Sequence, residues 1–264
     1  MKRKTVGKVL SQKCLAPGIY DLEIATCLAS DAAAGQFVGV YTKDASALLP
    51  RPISICGVSD DRKSIRLVYR IAGKGTDEFS RLKEGDEVTL LGVLGNGYDL
   101  DKIKSLGNND TPVRALLLGG GIGVPPMLEL SRELAAAGVK VISVMGYRNS
   151  DTFLLDEFKK NSDTYVASED GSVGTKGNVL DAVRENTIEF DCICACGPLP
   201  MLRAIKEFAG GKPAFISLEE RMACGVGACL GCVVKTRDID HHSHVNNARI
   251  CTDGPVFEAS EVEI

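Results

Sequence analysis

At Val113 the rhythm of the chain changes, and that change limits the folds open to it more than any other feature. Up to about Leu106 the sequence is a succession of short β segments, GIYDLEIAT, GQFVGVYT, RPISICGV, SIRLVYRIAG and DEVTLLGVLG, punctuated by Gly, Pro and Asp. Short strands at this spacing predict a small antiparallel barrel, with one helical turn from Thr76 to Leu82 inserted. After the polar stretch SLGNNDTP, which reads as a linker, strands and helices alternate: VRALLLGG, PPMLELSRELAAAG, VKVISVMGY, FLLDEFKK, TYVASED, GNVLDAVREN, DCICACGP and LPMLRAIKEFAG. Alternation predicts a parallel sheet wound with helices, with ligands at the carboxyl ends of its strands. Beyond Lys212 there remain only the strands PAFISLEE and CVVKT, a His-rich turn and a set of cysteines. That is too little core for a stable domain without a metal or another staple. The expected class is α/β plus β in three domains: a barrel over 1–107, a parallel α/β domain over 108–211, and a small cysteine-bearing domain over 212–264.

A net charge of -4, with Lys and Arg scattered, excludes the basic stripe of a nucleic-acid binder. ALLLGGGIGVPPMLEL, an apolar stretch, is interrupted by glycines and prolines, so no membrane span is expected. The basic start, MKRKTVGKVLSQKC, lacks the apolar run of a signal peptide, which leads us to expect a cytoplasmic protein. In that compartment the ten cysteines stay mostly reduced. Cys14, Cys27 and Cys56 read as buried, inert thiols.

MACGVGACLGC at 222–232 is different. Cys224, Cys229 and Cys232 follow a C-x4-C-x2-C spacing, and Cys251 comes later in RICTDGP. This is the plant-type ligand pattern of a [2Fe-2S] cluster. The intervening glycines permit the positive φ angles that turn backbone N–H groups toward sulfur. Zinc is the alternative, since four thiolates also close a tetrahedral site, although zinc ribbons usually pair two C-x2-C knuckles. His241, His242 and His244 lie between the third and fourth cysteines and read as a solvated turn, four thiolates being already a complete set.

Three further stretches suit nucleotides. LLLGGGIGVPPM follows a strand and opens a helix, where a pyrophosphate or simply a tight turn fits. ICACGPLPM ends a later strand, so its Cys196, Gly197 and Pro198 would face the same crevice. Cys192 and Cys194 read as small strand residues. GKGTDEFSRL offers Thr76 as an N-cap, and capping alone explains it as well as anion binding does.

Together these motifs resemble those of the ferredoxin-NADP reductase superfamily over nearly the whole chain. RPIS at 51–54 and GKGT at 73–76 look like its flavin-binding motifs, and GGGIGVPPM and CGPLPM like its nicotinamide-binding motifs. Within it, RPIS, YRIAGKGT, GGGIGVPP and ERMACGVGACLGC with CTDGPVF are similar to the electron-transfer subunits of NAD-linked (class B) dihydroorotate dehydrogenases. The resemblance implies an FAD-binding barrel, an NAD-binding α/β domain and a C-terminal [2Fe-2S] domain. FAD would be held by Arg51, Pro52, Ile53, Ser54, Val68, Tyr69, Arg70, Gly75 and Thr76, with Arg51 on the pyrophosphate and Ser54 by the reactive edge of the ring. Ile53 replaces the Tyr that stacks on flavin elsewhere in the superfamily. NAD would be held by Gly119, Gly120, Gly121, Ile122, Gly123, Cys196, Gly197, Pro198 and Met201, and the cluster by Cys224, Cys229, Cys232 and Cys251. Beyond Ser54 and Cys196 as cofactor neighbours, no catalytic side chain is implied.

Hydride transfer moves two electrons and a [2Fe-2S] cluster passes one, so FAD, which does both, belongs between cluster and nicotinamide. The resemblance also implies a partner: an FMN-containing dihydroorotate dehydrogenase catalytic subunit, in a heterotetramer of two catalytic and two electron-transfer chains serving pyrimidine (UMP) synthesis. A (β/α)8 catalytic subunit takes about 250 residues, and the three regions here use up the chain. Two other readings share features: a flavin and iron-sulfur subunit of an NAD(P)H-linked ferredoxin oxidoreductase or hydrogenase, and a non-redox zinc-stabilised binding module.

Overall fold

The computed structural model describes residues 2–107, 111–239 and 245–264. The His241, His242 and His244 turn and the middle of the SLGNNDTP stretch lie outside the described residues. The chain forms two compact units.

The first unit takes in residues up to 97 together with 219–233 and 248–255. Its six strands are β1 (Arg3–Ala16), β2 (Ile19–Ala25), β3 (Phe37–Val40), β4 (Arg51–Val58), β5 (Ser64–Arg70) and β6 (Glu87–Leu94), with α1 (Lys74–Phe79) between the last two. They close in the order β1-β2-β5-β4-β3-β6, antiparallel throughout. Alternation builds the barrel interior: Leu22 and Ile24 of β2 face Leu67 and Ile65 of β5 inside. Outside, Asp21 and Arg66 form an ion pair at 2.8 Å. Each such buried aliphatic side chain contributes roughly 1.5–3 kcal/mol relative to exposure.

β1 closes the barrel. Its first half pairs with β6 (Arg3 opposite Gly92, Lys8 opposite Glu87), and from Lys8 onward, through a register shift at Val9–Ser11, it pairs with β2. A bulge is the usual device for bending a strand from one neighbour to the next. No clean apolar alternation marks this strand, because its inward positions include Gly7, whereas Val6 and Leu10 point out, 58% and 41% exposed. A Cβ at Gly7 would come within 2.5 Å of Ile24 Cγ2, so the apolar alternation is inverted where the barrel is tightest. Cys56 is buried as expected, but Cys14 and Cys27 are exposed, because they lie where β1 and the turn after β2 face outward.

The second unit comprises residues 98–218, 234–247 and 256–264. After α2 (Leu100–Lys104) come β7 (Arg114–Gly120), α3 (Val124–Ala136), β8 (Lys140–Tyr147), α4 (Leu155–Phe158), β9 (Asp163–Ser168), β10 (Thr175–Lys176), α5 (Val179–Glu185), β11 (Cys192–Cys196), α6 (Leu199–Phe208) and β12 (Ala214–Ser217). The sheet order is β10-β9-β8-β7-β11-β12 with β15 (Val256–Glu258) at the edge. All pairs are parallel except the last. β7 and β11 are buried along almost their whole length, as central strands covered on both faces must be. The chain leaves β7 toward β8, β9 and β10, then returns to β11 on the other side. The order therefore reverses between β7 and β11, which makes that junction the switch point where wound sheets bind ligands. β13 (Val233–Thr236) and β14 (Asn247–Arg249) flank the His-rich turn in sequence, and β16 (Val262–Glu263) pairs with Lys235 and Thr236 of β13. Among the described residues no helix is long and apolar enough to cross a membrane.

Candidate functional site

Cys224, Cys229, Cys232 and Cys251 all lie in the first unit. The loop bearing the first three turns on Gly225 (φ 67°) and Gly227 (φ 86°), both in the left-handed region that glycine adopts without strain. Leu230 also sits there, at φ 54°, with its side chain 62% exposed. The Val226 N–H donates to Cys224 Sγ at 3.4 Å. Burial works against ionisation of the Cys224 thiol, but the N–H groups of Val226, Cys229 and Ala228 and the Cys229 side chain hold it down to about 6. Cys251 is pushed up to about 11 by burial and by its hydrogen bond with Cys232, with the Gly227 N–H acting in the opposite sense.

The sulfurs thus associate in two pairs, Cys224 with Cys229 and Cys232 with Cys251. Among the described residues, no three His, Cys, Asp or Glu side chains are gathered to hold a single ion. Two thiol pairs fit a binuclear [2Fe-2S] centre, which takes two terminal thiolates on each iron. The ten cysteines, all described, form no disulfide.

Cys251 sits in a braced segment. Arg249 grips Asp253 through Nε and Nη2, each at 3.0 Å, and its Nη1 reaches Gly227 O at 3.5 Å in the three-cysteine loop. The Asp253 carboxylate also accepts the Arg249 N–H at 2.7 Å. Asn96, just past β6, donates through Nδ2 to Thr252 O and Asp253 O at 2.9 and 3.1 Å, tying this segment to the barrel. The only sequence signal was the Asp two residues after Cys251. Asp253→Asn should cost less than about 1 kcal/mol of stability, the pair being over a third exposed. The larger effect expected is on cluster retention: absorbance lost severalfold faster in the presence of a chelator, measured against the unsubstituted protein.

On the barrel, Arg51 opens β4 and donates through Nη1 to Ala47 O at 3.2 Å and to Leu49 O. Its side chain lies against Gly75 in the first turn of α1, where a Cβ would come within 3.0 Å of both Arg51 Cδ and Cζ. A fixed cation and a helix turn whose first N–H groups lack intrahelical acceptors are thereby brought together, a donor set that fits a pyrophosphate. Thr76 is not the N-cap expected from sequence. Gly73 holds that position and α1 begins at Lys74. The Thr76 hydroxyl instead reaches back to accept from Ala72 N–H at 2.8 Å and Gly73 N–H at 3.2 Å. It does so from the third helical position, α1 beginning two residues before Thr76.

Pro52 is exposed, Ile53 and Ser54 are half-buried, and Arg70 is exposed. Val68 and Tyr69 are buried. The Tyr69 ring stacks on Tyr20, meets Phe79 edge-on, and donates its hydroxyl proton to Gln12 Oε1 at 3.2 Å. Burial holds that phenol well above its ordinary range. The side chains at positions 68 and 69 therefore belong to the core.

At the switch point the two glycine-bearing turns touch backbone to backbone. Cys196 is opposite Gly119 across β11 and β7. A Cβ on Gly123 would lie 2.7 Å from Gly197 N, one on Gly120 would lie 2.5 Å from Met201 Sδ, and one on Gly197 would lie 3.3 Å from Gly120 N. Gly121, at φ 56°, faces open space. Ile122 is half-buried and Pro198, the N-cap of α6, is exposed. Cys192, Cys194 and Cys196 are fully buried. Tyr98 donates to Ala195 O at 3.3 Å, bracing β11 from α2's side of this unit. Pro125, Pro126, Pro198 and Pro200 carry no N–H at the openings of α3 and α6, so the amides of the Gly121–Gly123 turn are the donors suited to a phosphate-bearing ligand.

A barrel with an anion cradle, a wound sheet with a glycine-lined switch point and two thiol pairs define an NAD-linked flavin and iron-sulfur oxidoreductase. The family model described as the iron-sulfur cluster binding domain of dihydroorotate dehydrogenase B matches residues 219–263, and that of the oxidoreductase NAD-binding domain matches 117–207. The chain is 42% identical over 266 residues to the electron transfer subunit of dihydroorotate dehydrogenase B (NAD(+)) from Lysinibacillus sphaericus (strain C3-41), covering 100% of both chains. It is also 42% identical to the same subunit of Geobacillus sp. (strain WCH70), over 99% of each. The chain belongs to the family of dihydroorotate dehydrogenase B electron transfer subunits.

Among solved structures, an NADH-dependent reduced ferredoxin-NADP oxidoreductase superposes with a TM-score of 0.84 at 28% identity, over 98% of this chain and 90% of the other. A ferredoxin NADP+ reductase from Neisseria gonorrhoeae, 14% identical with a TM-score of 0.65 over 83% of this chain and 94% of the other, shares the fold.

Proposed function

We propose that the chain passes electrons from the reduced FMN of a dihydroorotate dehydrogenase catalytic subunit, through a [2Fe-2S] cluster and FAD, to NAD+ in pyrimidine synthesis. The observation that carries this reading is the C-x4-C-x2-C set with Cys251 inside 219–263, the segment matched to the iron-sulfur domain. When bound, the flavin supplies the exchange between single electrons and a hydride, and the cluster supplies a one-electron relay. The chain's residues position these groups: Cys224, Cys229, Cys232 and Cys251 as ligands, Arg51 with Gly75 and Thr76 at the flavin pyrophosphate, Ser54 beside the ring, and Gly119–Gly123 with Cys196–Pro198 at the nicotinamide dinucleotide. Regions 1–107, 108–211 and 212–264 serve flavin, nicotinamide and cluster in turn.

The cysteine loop is asymmetric: Cys229 is exposed beside exposed Val226, Leu230 and Val233, whereas Cys232 and Cys251 are buried. This lip is the face we assign to the catalytic partner, in a heterotetramer of two chains of each kind. A cytoplasmic location belongs to the same reading, since a reducing compartment keeps a cysteine-rich chain as thiols.

Coexpression with an FMN-containing catalytic subunit should give dihydroorotate-dependent NADH formation that neither chain shows alone, in an assembly of twice the heterodimer mass. Stable assembly with ferredoxin- or hydrogenase-linked chains instead would reject it.

A further inference from the structure

The four cysteines assigned to the cluster lie in two segments, 222–232 and 249–255. Besides the thiols, these segments carry only two ionisable side chains, Arg249 and Asp253. One is a cation and the other an anion, and they are bound to each other through two hydrogen bonds of 3.0 Å.

Both charges are fixed in place by the main chain. The Arg249 carbonyl accepts from the N–H groups of Thr252, Asp253 and Gly254 at 3.1, 2.7 and 3.2 Å, which closes a turn around Cys251. The Ile250 N–H donates to Cys232 O at 2.9 Å and sets that turn against the end of the three-cysteine loop. Arg249 Nη1 then reaches Gly227 O, which lies between Cys224 and Cys229 in sequence. Gly227 makes room for this approach, since a Cβ there would lie 2.9 Å from Thr252 Cγ2 and 3.4 Å from Arg249 Nη1.

A brace needs hydrogen bonds but not charge, and the charges have a consequence of their own. Reduction of a [2Fe-2S] centre takes one ferric iron to ferrous with one electron, makes or breaks no bond to the protein, and adds negative charge to an anionic site. Net charge and hydrogen bonding around the sulfurs set the potential at which this happens. Asp253, two residues from Cys251, opposes the incoming electron, and Arg249 favours it. The side chains are 42% and 37% exposed, so solvent and salt weaken both effects without removing them.

We propose that Arg249 sets the reduction potential of the cluster, its guanidinium cancelling the Asp253 carboxylate beside Cys251 so that a flavin donor can reduce the centre. This role rests on the iron-sulfur reading above. An uncancelled charge of either sign moves the ratio of reduced to oxidised cluster at a fixed poise by about three- to tenfold, tenfold being about 59 mV for a one-electron centre. Bracing alone predicts that loss of either partner acts in the same direction, on cluster retention. Charge predicts opposite directions, on potential.

The test is an anaerobic titration of the full-length, flavin- and cluster-loaded protein with dithionite and mediator dyes, reading the electron paramagnetic resonance of the reduced cluster. Arg249→Gln should lower the midpoint potential and Asp253→Asn should raise it, each by the equivalent of at least about threefold. Arg249→Lys keeps the charge, and the double variant Arg249→Gln with Asp253→Asn removes both charges. Each of these should shift less than either single neutral substitution. Shifts of the same sign in Arg249→Gln and Asp253→Asn, or no shift in either, overturn the proposal while leaving the cluster standing. Loss of the cluster from all four variants reduces the pair to a brace and overturns it as well. A colourless unsubstituted protein that holds zinc removes the iron-sulfur reading and the proposal together.

Discussion

Cys229→Ser, purified without oxygen, should lack the visible absorbance of an iron-sulfur cluster and still reduce an artificial acceptor with NADH. Cys229 is exposed, so replacing its thiol leaves barrel packing untouched. What is lost is one of four thiolates, from the pair that includes Cys224. A serine hydroxyl is a far poorer ligand at neutral pH, since the thiolate is the form that binds metal. The turn at Arg51 and Gly75, which we propose holds the flavin pyrophosphate, and the glycine turns of the sheet include none of the four cysteines. Flavin content and NADH-dependent acceptor reduction should therefore stay within about twofold of the unsubstituted chain, while dihydroorotate-dependent NADH formation with the partner falls by orders of magnitude. Loss of both activities together would mean that the cysteine segment, braced to β6 through Asn96, is also needed to fold the barrel.

Gly123→Ala should have the opposite signature. The added Cβ meets the main chain of Cys196 and Gly197, not the end of a flexible side chain. Overpacking of this kind costs about 1–3 kcal/mol. The strain is relieved only by parting the two turns at the switch point, which displaces the amides that face a pyrophosphate. The KM for NADH should rise more than about tenfold, with flavin and cluster absorbance preserved and the melting temperature lower by a few degrees. Steady-state kinetics alongside the two spectra separate the outcomes, and an unchanged KM would remove the glycine turn from the nicotinamide site.

Most of the barrel and nearly all of the wound sheet were legible because their signals are local. Leu22 and Ile24 alternate with Asp21 and Glu23, and unbroken apolar runs such as ALLLGG mark strands covered on both faces. β1 escaped because Gly7, an inward residue, carries no apolar signal, and the outward Val6 and Leu10 carry a false one. Thr76 looked like a cap since its residue type suits that role, but Gly73 takes it.

The class of the fold, the C-x4-C-x2-C set with Cys251 and the glycine turns are written in the sequence, since each depends on spacing between residues close in the chain. The hold of Arg249 and Asp253 on Cys251's segment and on the loop appears only in the folded chain. Those relations are set by hydrogen-bond register between segments up to 157 residues apart, as between Asn96 and Asp253. No local periodicity encodes such a register.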